Sequence, residues 1–437
     1  MLVKDGAGGD TGTPQRMRRA VAAVGVGNAI EWYDYAIYGS FAAVLGATFF
    51  PGLDDATQLL LAFAVYGTAL LIRPLGALVF GRLGDTQGRR PTMTLVIVVT
   101  SLATAGVGLL PGQLAIGLAA PALLVLFRLL QGLGAGGELG VSSVFLFEHA
   151  PRGRRGLVGS LQIATMCLGM ALGMVVAAVL TTAAGGRLVE SGWWRLAFLA
   201  ALPLGLIGWY VRTRVDETSE FLGRETARGG RGPWRALLGA RRSRLWRGFA
   251  IVAAGSLAYN VFFVFLPNVV AIRHHAGATV WYVSGAALLV TALSTILLGH
   301  LSDRAGRRPV VGSCAIALAV LAVPLTWLAD QSVGAMLVAQ CLVGITIGGV
   351  LSITLLAEAF PPELRTTGVA MTAGLATALI GGTAPAVAQL MVTATRIGVA
   401  PAFYVTAVAA IAGVAVWRWE EAPARAATAR PSVALDG

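Results

Sequence analysis

Charged residues are scarce in this sequence. Only 12% of its 437 residues are Asp, Glu, Lys or Arg, roughly half the share found in soluble globular domains. This scarcity excludes an ordinary soluble protein. Hydrophobic residues make up 56% of the chain and come in runs of about 20, the length of a helix that crosses a bilayer. A transmembrane β-barrel is excluded as well, because its strands alternate in polarity over about 10 residues and that pattern is missing.

Several functional classes lack the residues they need. The three cysteines, Cys167, Cys314 and Cys341, lie singly in apolar segments, so neither disulfides nor a metal site is expected. The sequence has no Gly-rich ATP-binding loop ending in Lys-Ser or Lys-Thr, and no visible nucleophile or metal cluster of an enzyme. We therefore expect no cofactor and no metal, and an ion gradient as the energy source.

Residues 132–137 satisfy the Gly-x-Gly-x-x-Gly pattern of dinucleotide sites. Such a site also requires a preceding strand and a later acid, and the sequence predicts neither. Gly132, Gly136 and Gly140 instead recur every four residues, which predicts a flat helix face for close packing against a neighbouring helix.

Hydropathy predicts twelve transmembrane helices in two sets of six. The first set lies near residues 18–46, 57–81, 91–111, 120–148, 156–184 and 192–213. The second set lies near 248–272, 280–301, 309–329, 332–359, 366–394 and 400–419. The predicted organisation is an N-terminal tail (1–17), a first bundle (18–213), a central loop (214–247), a second bundle (248–420) and a C-terminal tail (421–437).

The net charge of +12 does not indicate nucleic acid, because the basic residues gather in alternate loops. With the N-terminus in the cytoplasm, 27 Lys and Arg fall in inner segments and four in outer loops. This bias predicts that both termini are cytoplasmic. The segment Met1–Gln15 is polar and Gly-rich, unlike a secretory signal, so we expect a multi-pass protein of a bacterial inner membrane.

The two sets of spans are related by internal repeats. Residues 81–91 (GRLGDTQGRRP) recur as 299–309 (GHLSDRAGRRP) at a constant offset of 218, with seven of eleven positions identical. A second motif contains Glu, Pro, Arg and Gly in the same order in both halves. Its residues are Glu148, Pro151, Arg155 and Gly156 in the first half and Glu358, Pro361, Arg365 and Gly368 in the second. Repeated six-helix halves are the construction of many secondary transporters, whose substrate site lies between the halves near the midplane.

These loop motifs resemble the major facilitator superfamily, and the spans narrow the resemblance. Residues 27–39 (GNAIEWYDYAIYG), 63–76, 128–138 and 216–221 are similar to motifs of the metabolite:proton symporter family. The likeness covers roughly residues 18–420. It implies the all-α major facilitator fold, alternating access, and symport of a proton with a metabolite such as a di- or tricarboxylate, shikimate, proline or betaine.

The sequence departs from the family pattern at two places. Thr86 stands where the loop between spans 2 and 3 usually has Arg, as Arg304 does in the second copy. Only about 18 residues follow span 12, and they show no heptad pattern. Osmosensing betaine carriers of the family often extend into a coiled coil, so the tail favours other substrates.

Four ionisable residues are predicted at membrane depth, where they are costly and usually functional. They are Glu31 and Asp34 in span 1 and Arg128 and Glu138 in span 4. A helix rise of about 1.5 Å per residue puts the two acids and Arg128 at one level. We predict that Asp34 or Glu31 accepts the proton and that Arg128 holds this acid ionised; a static ion pair that only fixes packing is the alternative.

Glu138 lies ten residues deeper than Arg128, so it is predicted either as a partner of the loop 2–3 basic residues or as a substrate contact. Arg73 is expected in the same network or at the interface. Charge pairs of the repeated motifs are predicted to close a cytoplasmic gate. The predicted gating residues are Arg73, Asp85, Arg89, Arg90, Glu148, Arg155, Asp303, Arg304, Arg307, Arg308, Glu358 and Arg365.

Polar residues of the spans are predicted to contact the substrate. Those of span 1 are spaced as on one helix face together with Glu31. The predicted substrate contacts are Asn28, Tyr35, Tyr38, Arg128, Glu138, Gln162, Tyr259 and Asn260.

Arg128 and the resemblance favour an organic acid as the substrate, since Arg binds carboxylates through paired hydrogen bonds. Zwitterionic osmolytes are the main alternative. A drug:proton antiporter is expected to lack the span 1 motif, and a non-transporting sensor to carry a cytoplasmic output domain. A monomer is expected. His149, His274, His275 and His300 are assigned no role.

Overall fold

The computed structural model describes most of the chain as helix. The described residues are 14–87, 89–136, 144, 146–147, 150–151, 153–185, 187–213, 242–361 and 364–419. Within these ranges the side chains of 14–24, 81–82, 84–87, 89–90, 93 and 211–213 are not described.

The first half contributes six spans, and spans 1, 2 and 6 each consist of two consecutive helices. Their helices are Pro14–Ser40 with Ala42–Phe49, Asp55–Leu71 with Arg73–Gln87, Arg89–Leu109, Ala119–Gly136, Arg155–Ala183, and Trp194–Leu199 with Ala201–Thr213. Short helices Gln113–Ile116 and Leu188–Ser191 lie in the connections after spans 3 and 5.

The second half repeats this order, and two of its spans contain a π-helical turn. Spans 7 and 8 comprise Arg242–Tyr259, the π-helix Asn260–Phe265 and Leu266–Arg273, followed by Thr279–Ala305. Spans 9 to 12 comprise Arg307–Ala329, Val333–Val350 with Ile353–Ala359, Arg365–Ala376 with the π-helix Thr377–Gly381 and Ala384–Thr395, and Ala400–Trp417. The fold is therefore the predicted all-α arrangement of twelve spans in two six-helix bundles.

Local sequence sets where several helices begin. The Asp54 side chain accepts the Thr57 amide at 3.1 Å at the start of span 2, and hydrogen bonds from the Thr57 hydroxyl and amide hold the pKa of that exposed carboxyl below its usual range. Ser332 caps span 10 in the same way through the Ala335 amide. Between spans 8 and 9 the backbone turns at Gly306, whose φ of +95° is costly for any residue with a Cβ.

Nine of the described helices are long and apolar enough to cross a bilayer by composition. Spans 1, 3 and 6 are less apolar or shorter than the other nine, for a reason that the sequence shows. Span 1 carries Glu31, Asp34 and basic residues near its start, and the apolar parts of spans 3 and 6 are short. Large apolar side chains such as Leu297, Val320 and Trp417 face outward, as expected for a surface in contact with lipid.

The two halves contact each other along four pairs of spans: 5 with 8, 5 with 10, 2 with 11, and 1 with 7. Span 7 is the most enclosed of the nine apolar spans, because 89% of its most apolar stretch is buried inside the protein. We define the inner end of the molecule as the end at which span 2 joins span 3 and span 8 joins span 9; the sequence predicts that this end is cytoplasmic.

Spans 2 and 4 approach each other so closely that only glycine fits at their contact. A Cβ on Gly132 would lie 2.0 Å from the Ala69 carbonyl oxygen, and one on Gly136 would lie 2.0 Å from that of Arg73. Gly76 faces the Leu133 carbonyl at the same distance. The predicted packing face is therefore confirmed for Gly132 and Gly136, whereas Gly140 lies outside the described residues.

We predict that Gly132→Ala destabilises the protein by roughly 1–3 kcal/mol, because its Cβ collides with a backbone oxygen and the two helices must separate. The measurement is the unfolding midpoint of the detergent-purified protein. Gly374→Ala is the matched control, since Gly374 is also helical and has nothing within 4 Å of the added Cβ. Equal midpoints for both variants would show that the close contact is not a constraint.

Candidate functional site

A buried polar cluster lies inside the first bundle, where spans 1, 3 and 4 meet. The Arg128 guanidinium donates from Nη1 to Gln131 Oε1 at 2.6 Å and lies 3.4 Å from Asp34 Oδ2. The Gln131 amide donates to Asp34 Oδ1 at 3.3 Å and to the Thr104 hydroxyl at 2.9 Å. The structure thus brings together the acid of span 1 and the Arg of span 4, with Gln131 linking them.

Three tyrosine rings surround the Arg128 guanidinium. Its central carbon lies 4.2 Å from the ring centre of Tyr38, 5.2 Å from that of Tyr35 and 5.7 Å from that of Tyr66. Arg128 is completely buried, and among the described residues its Nε and Nη2 atoms have no hydrogen-bond partner. Cation–π attraction from the rings stabilises this charge where water is excluded.

Glu31 does not share Arg128 with Asp34. Its carboxylate pairs with Arg73 Nη2 at 2.5 Å, and the Arg73 guanidinium lies over Trp32 and Tyr35 at 5.3 and 4.8 Å from their ring centres. Arg73 is therefore buried within the first bundle and does not extend to the interface. Its predicted role in the inner gate stays a prediction.

Span 1 presents two different faces, contrary to the single face expected for Asn28, Glu31, Tyr35 and Tyr38. Glu31 and Asp34 line a cavity within the first bundle, between spans 1, 3, 4 and 6. Asn28 and Trp32 instead line a cavity between the two halves. The two acids and the predicted substrate contact Asn28 therefore face different spaces, because the helix turns about 100° per residue.

The cavity between the halves is formed by spans 1, 5, 7, 10 and 11. It is mostly apolar, and its polar groups are amides and hydroxyls. The lining residues are Asn28, Trp32, Gln162, Ile163, Met166, Val252, Ser256, Leu351, Ile353, Leu356, Ala373 and Thr377. None of these side chains carries a charge.

Asn28 and Gln162, two predicted substrate contacts that line this cavity, differ in how many of their side-chain hydrogen bonds are formed. Asn28 donates to the Gln162 carbonyl at 2.7 Å and to the Thr165 hydroxyl at 2.9 Å, which joins spans 1 and 5. The Gln162 side-chain oxygen is buried and has no partner among the described residues. A buried amide oxygen without a partner is costly, so a donor from a ligand or water would be favourable there.

Tyr259 and Asn260 lie at the start of the π-helix in span 7. Asn260 Oδ1 accepts the Tyr66 hydroxyl at 3.0 Å, so the halves are joined here by a side-chain hydrogen bond. Tyr259 stacks on Phe263 and contacts Trp32 edge-on at 6.5 Å between ring centres. Its buried hydroxyl lacks a partner among the described residues. Further outward, Asn268 donates to the Gly39 carbonyl at 2.8 Å.

At the inner end, Asp303 closes the contact between spans 5 and 8. Its two carboxylate oxygens accept the backbone amides of Gly156 and Leu157 at 2.8 and 2.9 Å, and both amides lie in the first turn of span 5. Arg307 pairs with Asp303 at 2.7 Å and with Glu358 at 3.5 Å. An anion at a helix N-terminus is stabilised by unpaired amides and by the helix dipole.

A second inner contact centres on the Phe147 ring. The Arg155 guanidinium of the first half lies 4.6 Å from the ring centre, and the Arg365 guanidinium of the second half lies 4.9 Å from it. Arg365 also donates from Nε to the Ala357 carbonyl at 3.0 Å. Both arginines were predicted to gate, whereas Phe147 was missed because an aromatic residue in an apolar run gives no separate signal.

The remaining predicted gating residues are placed less centrally or lie outside the described residues. Arg304 is exposed, and Arg308 donates to the Trp417 carbonyl. Glu138 and Glu148 are not among the described residues, and neither are the side chains of Asp85, Arg89 and Arg90. Over the described part of the chain, no group of three His, Cys, Asp or Glu is placed to hold a metal ion.

Two related six-helix bundles, a cavity between them and a buried acid–arginine pair in the first bundle define a secondary transporter. Two family models match the chain: one described as "Sugar (and other) transporter" over residues 20–229 and one described as "Major Facilitator Superfamily" over residues 274–433. The chain belongs to the major facilitator superfamily, in the group of metabolite:proton symporters that its motifs resemble. It is a multi-pass membrane transporter of small molecules and not an enzyme.

Three similar proteins illustrate its relatives. The chain is 33% identical to a proline/betaine transporter of Salmonella typhimurium, over 94% of this chain and 86% of that protein. It is 34% identical to an ectoine/proline transporter of Corynebacterium glutamicum, with 92% and 84% covered. It is also 34% identical to an alpha-ketoglutarate permease of Escherichia coli, with 90% and 92% covered.

Solved structures agree on the fold. An inward-open structure of the xylose transporter of E. coli superimposes with a TM-score of 0.74 at 17% identity, covering 94% of this chain and 98% of that one. A proton:xylose symporter bound to a bromo-deoxyglucose gives a TM-score of 0.75 at 16% identity, with 93% and 96% covered. At these identities the likeness concerns the fold alone.

We predict that Asp303→Asn opens the inner end more often, because the amide has no charge for the helix N-terminus or Arg307. Losing about 1 kcal/mol there corresponds to a roughly fivefold change in population. The test introduces Ser160→Cys, because Ser160 lies at the contact between spans 5 and 8. The measurement is the rate at which an impermeant thiol reagent modifies this cysteine. Arg304→Gln is the control, since it changes charge at an exposed neighbouring position; an unchanged rate in Asp303→Asn would contradict the prediction.

Proposed function

We propose that the protein is a proton-coupled symporter that imports a small zwitterionic osmolyte of the proline or betaine type. The observation that carries this proposal is the uncharged cavity between the halves. A zwitterion brings its own neutralising charge, whereas a di- or tricarboxylate buried there would need cationic partners. The proline/betaine and ectoine/proline transporters among the relatives support the same substrate class.

The cavity offers groups for both ends of such a molecule. Trp32 supplies an aromatic surface for a quaternary or secondary ammonium group, and it is the aromatic residue among those that line the cavity. Ser256 and Thr377 supply hydroxyl donors for the carboxylate, and their side chains lie 3.4 Å apart. Gln162 adds an amide with an unpartnered oxygen.

The organic-acid expectation is the second candidate. It is favoured by the alpha-ketoglutarate permease, which matches this chain at a similar identity. Arg128 gives this candidate little support, because its guanidinium is fully buried among tyrosines of the first bundle and does not line the cavity between the halves. The short C-terminal tail was expected to favour substrates other than betaine, but the osmolyte transporters among the relatives are the stronger indication of the substrate class.

Asp34 is the better of the two candidate proton acceptors. Its contacts with Arg128 and Gln131 are 3.4 and 3.3 Å long, near the upper limit of a hydrogen bond. Glu31 is held by Arg73 at 2.5 Å. Protonation of Asp34 would remove the charge that holds Arg128, and the resulting rearrangement of spans 1 and 4 would couple the proton to the opening of the halves.

We further propose that the transporter works as a monomer with both termini in the cytoplasm, and that the proton gradient drives it without a cofactor. The strong bias of Lys and Arg between alternate loops supports the orientation.

In proteoliposomes with an imposed pH gradient, inside alkaline, we expect accumulation of betaine or proline, and we expect weaker uptake of alpha-ketoglutarate. Trp32→Ala should raise the KM for betaine by about tenfold if one cation–π contact of 1–2 kcal/mol is lost, and Trp32→Phe should raise it less. Accumulation of alpha-ketoglutarate with no transport of betaine or proline would favour the second candidate.

We expect Asp34→Asn to abolish accumulation against a gradient while exchange of internal for external substrate continues, because the amide carries no titratable proton. The matched variant Glu31→Gln should retain a pH-dependent accumulation, although at a lower rate, since Arg73 loses its charged partner. Both are measured as radiolabelled uptake and counterflow in the same vesicles. Normal accumulation by Asp34→Asn would exclude Asp34 as the proton acceptor.

A further inference from the structure

The first bundle contains a cavity that is separate from the one between the halves. It has a volume of about 40 Å³, which is room for about three water molecules. Both acids of span 1 and a set of hydroxyl and amide groups reach it. Its polar lining residues are Glu31, Tyr33, Asp34, Tyr35, Thr100, Ser101, Thr104 and Gln131.

The position of the lining residues along their helices gives the cavity a direction. Asp34, Thr104 and Gln131 form its outer part, at the level of the buried pair. Ile97 and Ala135 lie about two turns and one turn closer to the inner end, where span 3 begins and toward which span 4 runs. The cavity therefore extends from Asp34 toward the predicted cytoplasm without crossing the interface between the halves.

Span 3 supplies a row of hydroxyl groups along this path. The Thr100 hydroxyl donates to the Val96 carbonyl and the Thr104 hydroxyl donates to the Thr100 carbonyl, each at 2.9 Å. Because each proton is used within the helix, the oxygen of Thr100 can accept from water, and Thr104, which already accepts the Gln131 amide, has one lone pair left to do so. Ser101 lies beside them at the wall formed with Gly205. Hydroxyl groups spaced one helical turn apart can hold a row of hydrogen-bonded water molecules that leads to a buried carboxylate.

The described residues that line one cavity do not line the other. Trp32 borders the space between the halves, and Tyr35 borders the cavity of the first bundle; their rings lie 5.4 Å apart. A metabolite between the halves would therefore meet an aromatic surface and not the carboxylate of Asp34. This separation is the observation from which the inference follows.

We infer that protons pass between Asp34 and the inner solution through the cavity of the first bundle, by a route that the metabolite does not enter. The inference rests on the proposed proton symport and deepens it. The ligand of this second site is water or hydronium. Spans 1, 2 and 4 contribute the titratable and charged groups around Asp34, and span 3 contributes only the uncharged Thr104. These groups are Glu31, Tyr33, Tyr35, Tyr38, Tyr66, Arg73 and Arg128.

Thiol accessibility tests the route directly. In a background without Cys167, Cys314 and Cys341, Ser101→Cys places a thiol in the cavity of the first bundle and Ser256→Cys places one between the halves. In inside-out vesicles we expect silver ion, a thiol-reactive cation small enough for a space that holds single water molecules, to react with both. The reaction is measured as the loss of thiols that a maleimide labels after denaturation. Saturating betaine should slow the reaction at Ser256→Cys at least about tenfold, as expected for an occupied site, and should leave the rate at Ser101→Cys unchanged.

Two outcomes would overturn the inference: no reaction at Ser101→Cys, or equal protection of both thiols by betaine. If Ser101→Cys does not fold, Thr100→Cys on the same wall takes its place. Proton-coupled uptake by the wild type is measured in parallel. Its absence would contradict the proposed symport but not the reactivity of the cavity, so the two failures can be told apart.

A pair of isosteric variants provides a functional readout. Thr104→Val removes a hydroxyl of the proton route, and Thr377→Val removes one from the cavity between the halves. We expect Thr104→Val to slow pH-driven accumulation relative to counterflow roughly fivefold, the effect of about one hydrogen bond, with an unchanged KM. Thr377→Val should raise the KM and keep the ratio of the two rates. The reverse pattern would contradict separate routes.

Discussion

The burial of the Arg128 charge is the constraint on which the first bundle depends. A guanidinium in a membrane interior stays charged and must find its partners within the protein. Span 1 supplies Asp34 and two tyrosines, span 2 supplies Tyr66, and Gln131 lies one turn away on span 4 itself. Satisfying this one group fixes the distance and rotation of three spans, and the glycines between spans 2 and 4 allow the approach it requires.

The two halves share their architecture but divide the chemistry. The Asp, Glu, Lys and Arg residues of spans 7 to 12 all lie within the first or last six residues of a span, whereas the first bundle holds two buried ion pairs. The second half contributes hydroxyl and amide groups from its π-helical turns, such as Asn260 and Thr377. Such π turns are frequent at functional sites. Uncharged hydroxyl and amide groups offer polar contacts at a lower desolvation cost than charged side chains.

Much of the fold was predictable, because hydropathy, loop charge and the repeat at an offset of 218 depend on solvation and not on side-chain contacts. Helix rise predicted that the two acids of span 1 and Arg128 lie at one level, and the resemblance to the family favoured a pair, but which acid forms it was left open. The partner of Glu31 was not predicted, since counting along a helix gives depth but not rotation; for the same reason the alternative that Arg73 extends to the interface was wrong. Gln131, Thr104 and Phe147 matter through contacts between distant segments, for which an uncharged polar or aromatic residue in an apolar run provides no signal.

The small number of hydrogen bonds between the halves has an energetic consequence. Among the described residues, two join them toward the outer end, through Asn260 and Asn268, and three join them at the inner end, through Asp303 and Thr354. At about 1 kcal/mol net for each neutral bond and about 2 for a charge-assisted one, the hydrogen bonds contribute only a few kcal/mol to either closure. Moving a two-state balance from 1:99 to 99:1 takes about 5.5 kcal/mol. In the proposed symport, the binding of a metabolite and a proton therefore needs to outweigh only a few hydrogen bonds at either end.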